Sequence, residues 1–261
     1  MLEISKSPEG IARIRLNRPE VHNAFNAELI AQLHAAFVQL GTDNDVRAII
    51  LSGNGKSFSA GADLSWMKDA ATFTHAENLE DAEKLSAMLN SIYTCPKPVL
   101  ALVHGAAMGG GVGLTACADI VLCVEGAKFA LSEVRLGLTP ATISPFVVAA
   151  IGERQARRLF ITAERFDATT AKDIGLVHEV YQTLDDAEEA MSNILQDILA
   201  GGPHAIADAK HLVLSVSGKP IDAGLRSFTA EQIATRRTSQ EGQEGLAAFF
   251  EKRSPDWILK S

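Results

Sequence analysis

Five apolar residues, Val99-Leu-Ala-Leu-Val103, lead directly into His104-Gly-Ala-Ala-Met-Gly-Gly-Gly111, and a run of small residues follows. A continuous apolar run of that length reads as a strand covered on both faces. The segment from Gly113 to Ala118 reads as a helix, so the glycine triplet occupies a strand-to-helix turn. Such a turn gathers the unpaired N–H groups of a helix N-terminus, where the macrodipole favours negative charge. A phosphate is one candidate anion. However, the spacing holds no GxGxxG with a suitable acidic partner and no GxxxxGK[ST]. A transient oxyanion is another, and glycines that merely permit close packing are a third.

A second stretch has the same form. Val46 to Leu51 reads as a buried strand, and Gly53-Asn54-Gly55 and Phe58-Ser-Ala-Gly-Ala-Asp63 after it read as loops. Two such loops can each bring one backbone N–H to a common point, and two convergent donors make an oxyanion hole.

The rest of the chain alternates strands and helices, which predicts an α/β fold. Ile11, Ile14 and Leu16 alternate with polar residues up to Asn17-Arg18-Pro19, as in a strand. Asn26 is placed to cap a helix running to Leu40, with Leu29, Ile30, Leu33 and Phe37 on one face. Phe73 to Ile92 reads as a polar surface helix, Ile120 to Val124 and Lys128 to Leu131 as short strands, and Ser144 onward as mainly helical. Gly201-Gly202-Pro203 breaks a helix expected from about Asp185 to Leu199, dividing the chain into residues 1–200 and 201–261.

Composition excludes several classes. With 32 acidic against 24 basic residues the formal charge is -8, which predicts no nucleic-acid partner. Cys95, Cys117 and Cys123 match no common zinc spacing, so no metal site is expected, and they read as reduced thiols of a cytoplasmic protein. No apolar stretch approaches the ~18 residues of a membrane span, so no membrane partner is expected.

With both loops in view, the chain resembles the crotonase, or enoyl-CoA hydratase/isomerase, superfamily over essentially its whole length. The resemblance rests on Leu16-Asn-Arg-Pro19 with Asn23-Ala-Phe25, on Phe58 to Leu64, on Gly105 to Gly111 leading to Ala118-Asp-Ile120, on Leu131-Ser-Glu-Val-Arg-Leu-Gly-Leu138, and on Thr162 to Arg165, Ala171 to Val177 and Glu244 to Arg253. It implies a spiral of ββα units followed by a C-terminal helical trimerisation region, assembling as a homotrimer or hexamer. It also implies an acyl-CoA thioester substrate that carries its own coenzyme A, with no further cofactor. The N–H groups of Ala62 and Gly110 would bind the thioester oxygen, and Glu133 would be the catalytic acid and base. His22, Ala24, Ala60, Asp63 and Leu64 would meet coenzyme A, and Phe249 and Lys252 would approach that of a neighbouring subunit. Trp66, Met67, Gly113, Thr139 and Pro140 would line the acyl pocket.

Gly113 is the departure from the family pattern, because hydratases of this superfamily usually carry a glutamate there and a second one at the position of Glu133. One carboxylate can do both jobs in sequence if it takes a proton from water and returns it to Cα. The residues 58–67, 131–158, 162–166 and 241–253 resemble bacterial methylglutaconyl-CoA and isohexenylglutaconyl-CoA hydratases, which implies hydration of 3-methylglutaconyl-CoA or a related glutaconyl-CoA. An enoyl-CoA isomerase using Glu133 as proton shuttle is the alternative, and a non-catalytic binding protein of the same fold is another. Asp63 and Asp119 read as helix caps or loop anchors, His104 as a packed strand-end residue, and Arg135 as a surface arginine.

Overall fold

Strand β2 (Ile11–Leu16) buries alternate residues, as its two-residue alternation requires, and lies between β1 (Leu2–Lys6), antiparallel to it, and β3 (Ala48–Gly53), parallel to it. The structure, a computed structural model, describes residues 1–258. Parallel strands β4 (Val99–Val103), β6 (Ile120–Val124) and β9 (Glu179–Tyr181) complete a six-stranded sheet in the order β1-β2-β3-β4-β6-β9. Helix α1 (Ala27–Thr42) begins at Asn26, whose side chain accepts the Leu29 N–H.

Strands β4 and β6 are apolar throughout, and β3 nearly so, because both of their faces are covered. On one face Ile49, Leu51, Ala101 and Val103 pack with Leu33 and Phe37 of α1 in the main core. Against the other, Ile50, Leu100, Leu102 and Leu122 meet Ala187, Met191 and Leu195 of α7 (Leu184–Ala200). Helices α2 (Leu64–Ala70), α3 (His75–Tyr93), α4 (Gly110–Cys117), α5 (Ser144–Thr162) and α6 (Ala168–Asp173) precede α7.

A second sheet, β5 (Ala106–Met108), β7 (Lys128–Ala130) and β8 (Phe166–Asp167), explains the spiral. The chain runs β4, β5, α4 and then β6, β7, α5, so each turn crosses from the first sheet to the second before entering a helix. The turn before these follows the same course without a full strand. After β3 the chain bridges β5 at Ser59, paired with Ala107, and then enters α2 and α3.

Expected boundaries moved by a few residues: the helix read from Gly113 starts at Gly110, and the one read over Phe73 to Ile92 spans His75–Tyr93. The second of these is also not a simple surface helix, since Met88, Leu89 and Ile92 at its C-terminal end are fully buried. Beyond residue 200 come α8 (Pro203–Val216), α9 (Ala223–Thr238) and α10 (Gln240–Glu251), which leave Leu246, Phe249 and Phe250 exposed. Arg47, just before β3, donates to the carbonyls of Leu199, Gly201 and Trp257, pinning the start of this tail to the sheet.

Candidate active site

The two glycine loops meet. Ser59 donates its N–H to Ala106 O and accepts that of Met108 at 3.0 and 2.9 Å, which ties the first loop to the strand preceding the triplet. Gly61, at φ 84°, passes so close that a Cβ there would lie 2.6 Å from Met108 O and 3.5 Å from Gly110 N. On the other side, Phe25 donates to Gly61 O at 2.6 Å and accepts from Asp63 N–H at 2.8 Å, forming a parallel bridge to Ala62. In that pattern the bridged residue turns its own N–H away from its partner. Among the described residues neither the Ala62 nor the Gly110 N–H has an acceptor.

Each glycine of the triplet answers to a different neighbour. Gly109 has φ 49°, and a Cβ there would approach Glu133 Oε1 to 3.1 Å. At Gly110 it would meet the Phe25 ring, and at Gly111 the Ser59 carbonyl. Bare backbone is therefore what lets the helix start, the first loop and the Glu133 carboxylate share one place.

Glu133 opens a short 3₁₀ turn, Glu133–Leu136, after β7. Its Oε2 is buried without a hydrogen-bond partner. Burial, which penalises the ionised form, pushes the carboxyl above the ordinary glutamate range. A carboxylate with a free oxygen and a raised affinity for protons is suited to taking and returning one.

Ala62, Gly110 and Glu133 line one cavity of about 740 Å³. Ala60, Leu64, Trp66 and Met67 join them, and Leu136 and Leu138 close the Glu133 side. Asp63 holds the loop: Arg18 bridges its carboxylate at 2.8 Å and the Ala24 carbonyl at 2.6 Å, while Asp63 Oδ1 accepts the Ser65 N–H at the start of α2. The Arg18 guanidinium holds the Asp63 carboxyl below its usual range. Buried Asn23, at φ 56°, ties the same region together through Arg18 N–H and the carbonyls of Asn54 and Ser57. His22 accepts the Ala60 N–H through its carbonyl; His22 is exposed and Ala24 buried, and neither lines the cavity.

Three residues expected on the acyl-pocket wall are elsewhere. Gly113 is buried beneath α5: a Cβ there would lie 2.6 Å from Ile143 Cγ2 and 3.6 Å from Leu89 Cδ2. Hydrocarbon thus fills the space into which a side chain at 113 would project. Thr139 is exposed and Pro140 buried, and neither lines the cavity; Leu138 just before them does. Phe249, 76% exposed, and Lys252, the left-handed cap of α10, lie outside the cavity of their own chain. His104 donates through Nε2 to Gly55 O at 3.0 Å, while Arg135 is exposed. Asp119 accepts the Val99 N–H and pairs with Lys210 at 2.6 Å, anchoring the loop before β6 to α8.

Sequence reasoning missed Asn78 and Asp81, which reach the cavity from α3. Their spacing of three, one helix face, was the available signal, but nothing in it says which face turns inward. Among the described residues no group of His, Cys, Asp and Glu could hold a metal ion, and no helix is long and apolar enough to cross a membrane. The three cysteines are free and buried.

The sequence model described as enoyl-CoA hydratase/isomerase matches residues 6–260. A Thermus thermophilus protein named as an enoyl-CoA hydratase is 34% identical over 255 residues, 98% of this chain and 99% of that one. The peroxisomal Delta(3,5)-Delta(2,4)-dienoyl-CoA isomerase of Arabidopsis thaliana is 30% identical over 92% of this chain and 90% of its own. The crystal structure of an enoyl-CoA hydratase from Shewanella pealeana superposes with a TM-score of 0.95 at 42% identity, covering 98% of this chain and 95% of that one.

Proposed function

Since the chain belongs to the enoyl-CoA hydratase/isomerase family and has the crotonase fold, we propose that it hydrates a 2-enoyl-CoA thioester in the cavity between its two glycine loops. The observation that carries this reading is Glu133, which has an unpartnered carboxylate oxygen and lines the same cavity as Ala62 and Gly110, whose backbone N–H groups have no acceptor among the described residues. The donors receive the thioester oxygen. When a nucleophile adds at Cβ, charge develops on that oxygen, and dipoles fixed there in advance lower the barrier by several kcal/mol. Glu133 takes a proton from water as the water adds, then delivers that proton to Cα, so the carboxylate is regenerated and atoms balance.

The finer reading is a glutaconyl-type substrate, supported by the sequence resemblance of residues 58–67 and 131–158. Its distal carboxylate would meet no Lys or Arg on the described wall of this chain, leaving polar groups such as Ser132 and Trp66 to hold it. A second reading is isomerisation, favoured by one observation: Ile143 fills the space beside Gly113, leaving no second acid there to position water. Incubation with 3-methylglutaconyl-CoA, crotonyl-CoA and a 3-enoyl-CoA in oxygen-18 water separates these readings. Label in a 3-hydroxy product, lost in Glu133→Gln, is expected. Double-bond migration without label would replace hydration by isomerisation, and silence on all three substrates would refute both.

A further inference from the structure

The hydration reading leaves one polar spot of the cavity unused. Asn78 and Asp81 face it from the first turns of α3, in a wall otherwise made of Met67, Ala70 and Ala71. The Asn78 amide nitrogen donates to the carbonyls of Phe73 and Thr74, both at 3.1 Å. These two acceptors fix the amide's orientation, because the flipped form would set oxygen against oxygen. Oδ1 is left without a donor among the described residues. Asp81 has no ion pair among the described residues, since Lys84 on the same helix is drawn to Glu80 at 2.7 Å. Burial raises the Asp81 carboxyl, opposed by the neighbouring Trp66 indole and by Lys84. The spot thus offers acceptors one helical turn apart, on a wall to which this chain contributes no Lys, Arg or His.

We propose that Asn78 and Asp81 form a subsite for an uncharged O–H donor. Either acceptor can receive the single hydrogen of a hydroxyl, and the pair, with no competing cation on this wall, can receive both hydrogens of a water. The hydroxyl has two sources: the water that adds at Cβ, which becomes the 3-hydroxyl of the product, or a hydroxyl carried further along the acyl chain. The inference rests on the cavity being the acyl-CoA site, and its test therefore reads binding apart from turnover.

Calorimetry on the intact protein compares 3-hydroxybutyryl-CoA with butyryl-CoA, and 5-hydroxypentanoyl-CoA with pentanoyl-CoA. The wild type is expected to prefer the hydroxylated member of one pair by about fivefold or more, the worth of one such hydrogen bond. In Asp81→Leu that preference should fall to near unity while affinity for the plain member stays within about twofold. Asp81→Asn retains an acceptor and should keep part of the preference, which also covers the case in which the leucine variant does not fold. A preference in the first pair identifies the reacting water as the source. In that case kcat for crotonyl-CoA hydration should fall about tenfold or more in Asp81→Leu with KM little changed. A preference in the second pair identifies the acyl chain. Equal affinities within both pairs, or a preference untouched in Asp81→Leu, would overturn the subsite. A protein that binds these thioesters yet hydrates none would refute the hydration reading alone.

Discussion

Replacing Gly113 by alanine tests whether Ile143 really occupies the place of the second acid. The new methyl would sit 2.6 Å from Ile143 Cγ2 and 3.1 Å from its Cβ. Carbon atoms in contact prefer about 3.5–4.0 Å, so the overlap approaches 1 Å by the same measure. Ile143 is 3% exposed and immediately precedes α5, so it has no rotamer that escapes into solvent and the helix itself must shift. Overpacking of this kind costs about 1–3 kcal/mol. The glycine sits within α4, and alanine there recovers about 1 kcal/mol of helix propensity. The expected net is a loss of about 0–2 kcal/mol, or about 2–4 °C in Tm per kcal/mol for a chain of this size class. Ile143→Ala alone leaves a cavity and should cost about 2–5 kcal/mol. In the double variant the methyl at 113 has room, so the two losses should fail to add by about 1–3 kcal/mol. Thermal melts of the four proteins measure the cycle. A Gly113→Ala protein more stable than the wild type, with additive effects in the double variant, would refute the packing assigned to Ile143.

Glu133→Gln should lower hydration kcat by about 100-fold or more, read by steady-state kinetics on the best substrate. The working base is the ionised form, and burial raises its pKa. Wild-type kcat/KM should therefore fall with decreasing pH through a midpoint above the ordinary 4.5 of a glutamate. The same raised pKa means the folded state binds this proton more readily than the unfolded one. The ionised group thus opposes folding at neutral pH, so the glutamine variant should melt higher there, and the difference should shrink as pH falls through the raised folded-state pKa toward 4.5. Gly61→Ala, at φ 84° with its Cβ 2.6 Å from Met108 O, should displace the Ala62 donor and cost about 100-fold in kcat, seen beside an unchanged KM. Lys210→Ala leaves part-buried Asp119 without its 2.6 Å partner and should cost about 1–3 kcal/mol in a denaturant melt.

The parts of the site that sequence made legible are those written in backbone requirements. Gly109, Gly110 and Gly111 between an apolar strand and a helix announce a close approach, and Phe58 to Asp63 announces its partner, because only certain residues tolerate such paths. The family resemblance then supplied Glu133, which spacing alone did not distinguish from any surface glutamate. Of the acyl-pocket wall, sequence reasoning reached Trp66 and Met67, which line the cavity, and little else. Asn78 and Asp81 lie on a helix whose polar periodicity reads as solvent-facing, and its inward turn is set by packing of Met88, Leu89 and Ile92 at the far end. Gly113 was expected to open onto the cavity, but Ile143, thirty positions away in sequence, covers it. Of the second sheet only β7 was read, as Lys128 to Leu131; β5 has three residues and β8 has two, too short for any alternation to register.

The two proposed oxyanion donors are main-chain N–H groups, held by pairings of Ser59 with Ala106 and Met108 and of Phe25 with Gly61 and Asp63. No codon specifies such a donor, so no single-base change can swap it for another functional group; mutation reaches it only by bending the chain. The wall formed by α2 and α3 is the opposite, a row of side chains that can be exchanged one at a time without touching those pairings. Inheritance in such a protein is divided: the capacity to stabilise an enolate is passed on with the fold, while the choice of acyl group is free to drift or be selected within some twenty residues. Libraries confined to residues 64–81 should therefore change which thioester is accepted far more readily than what is done to it.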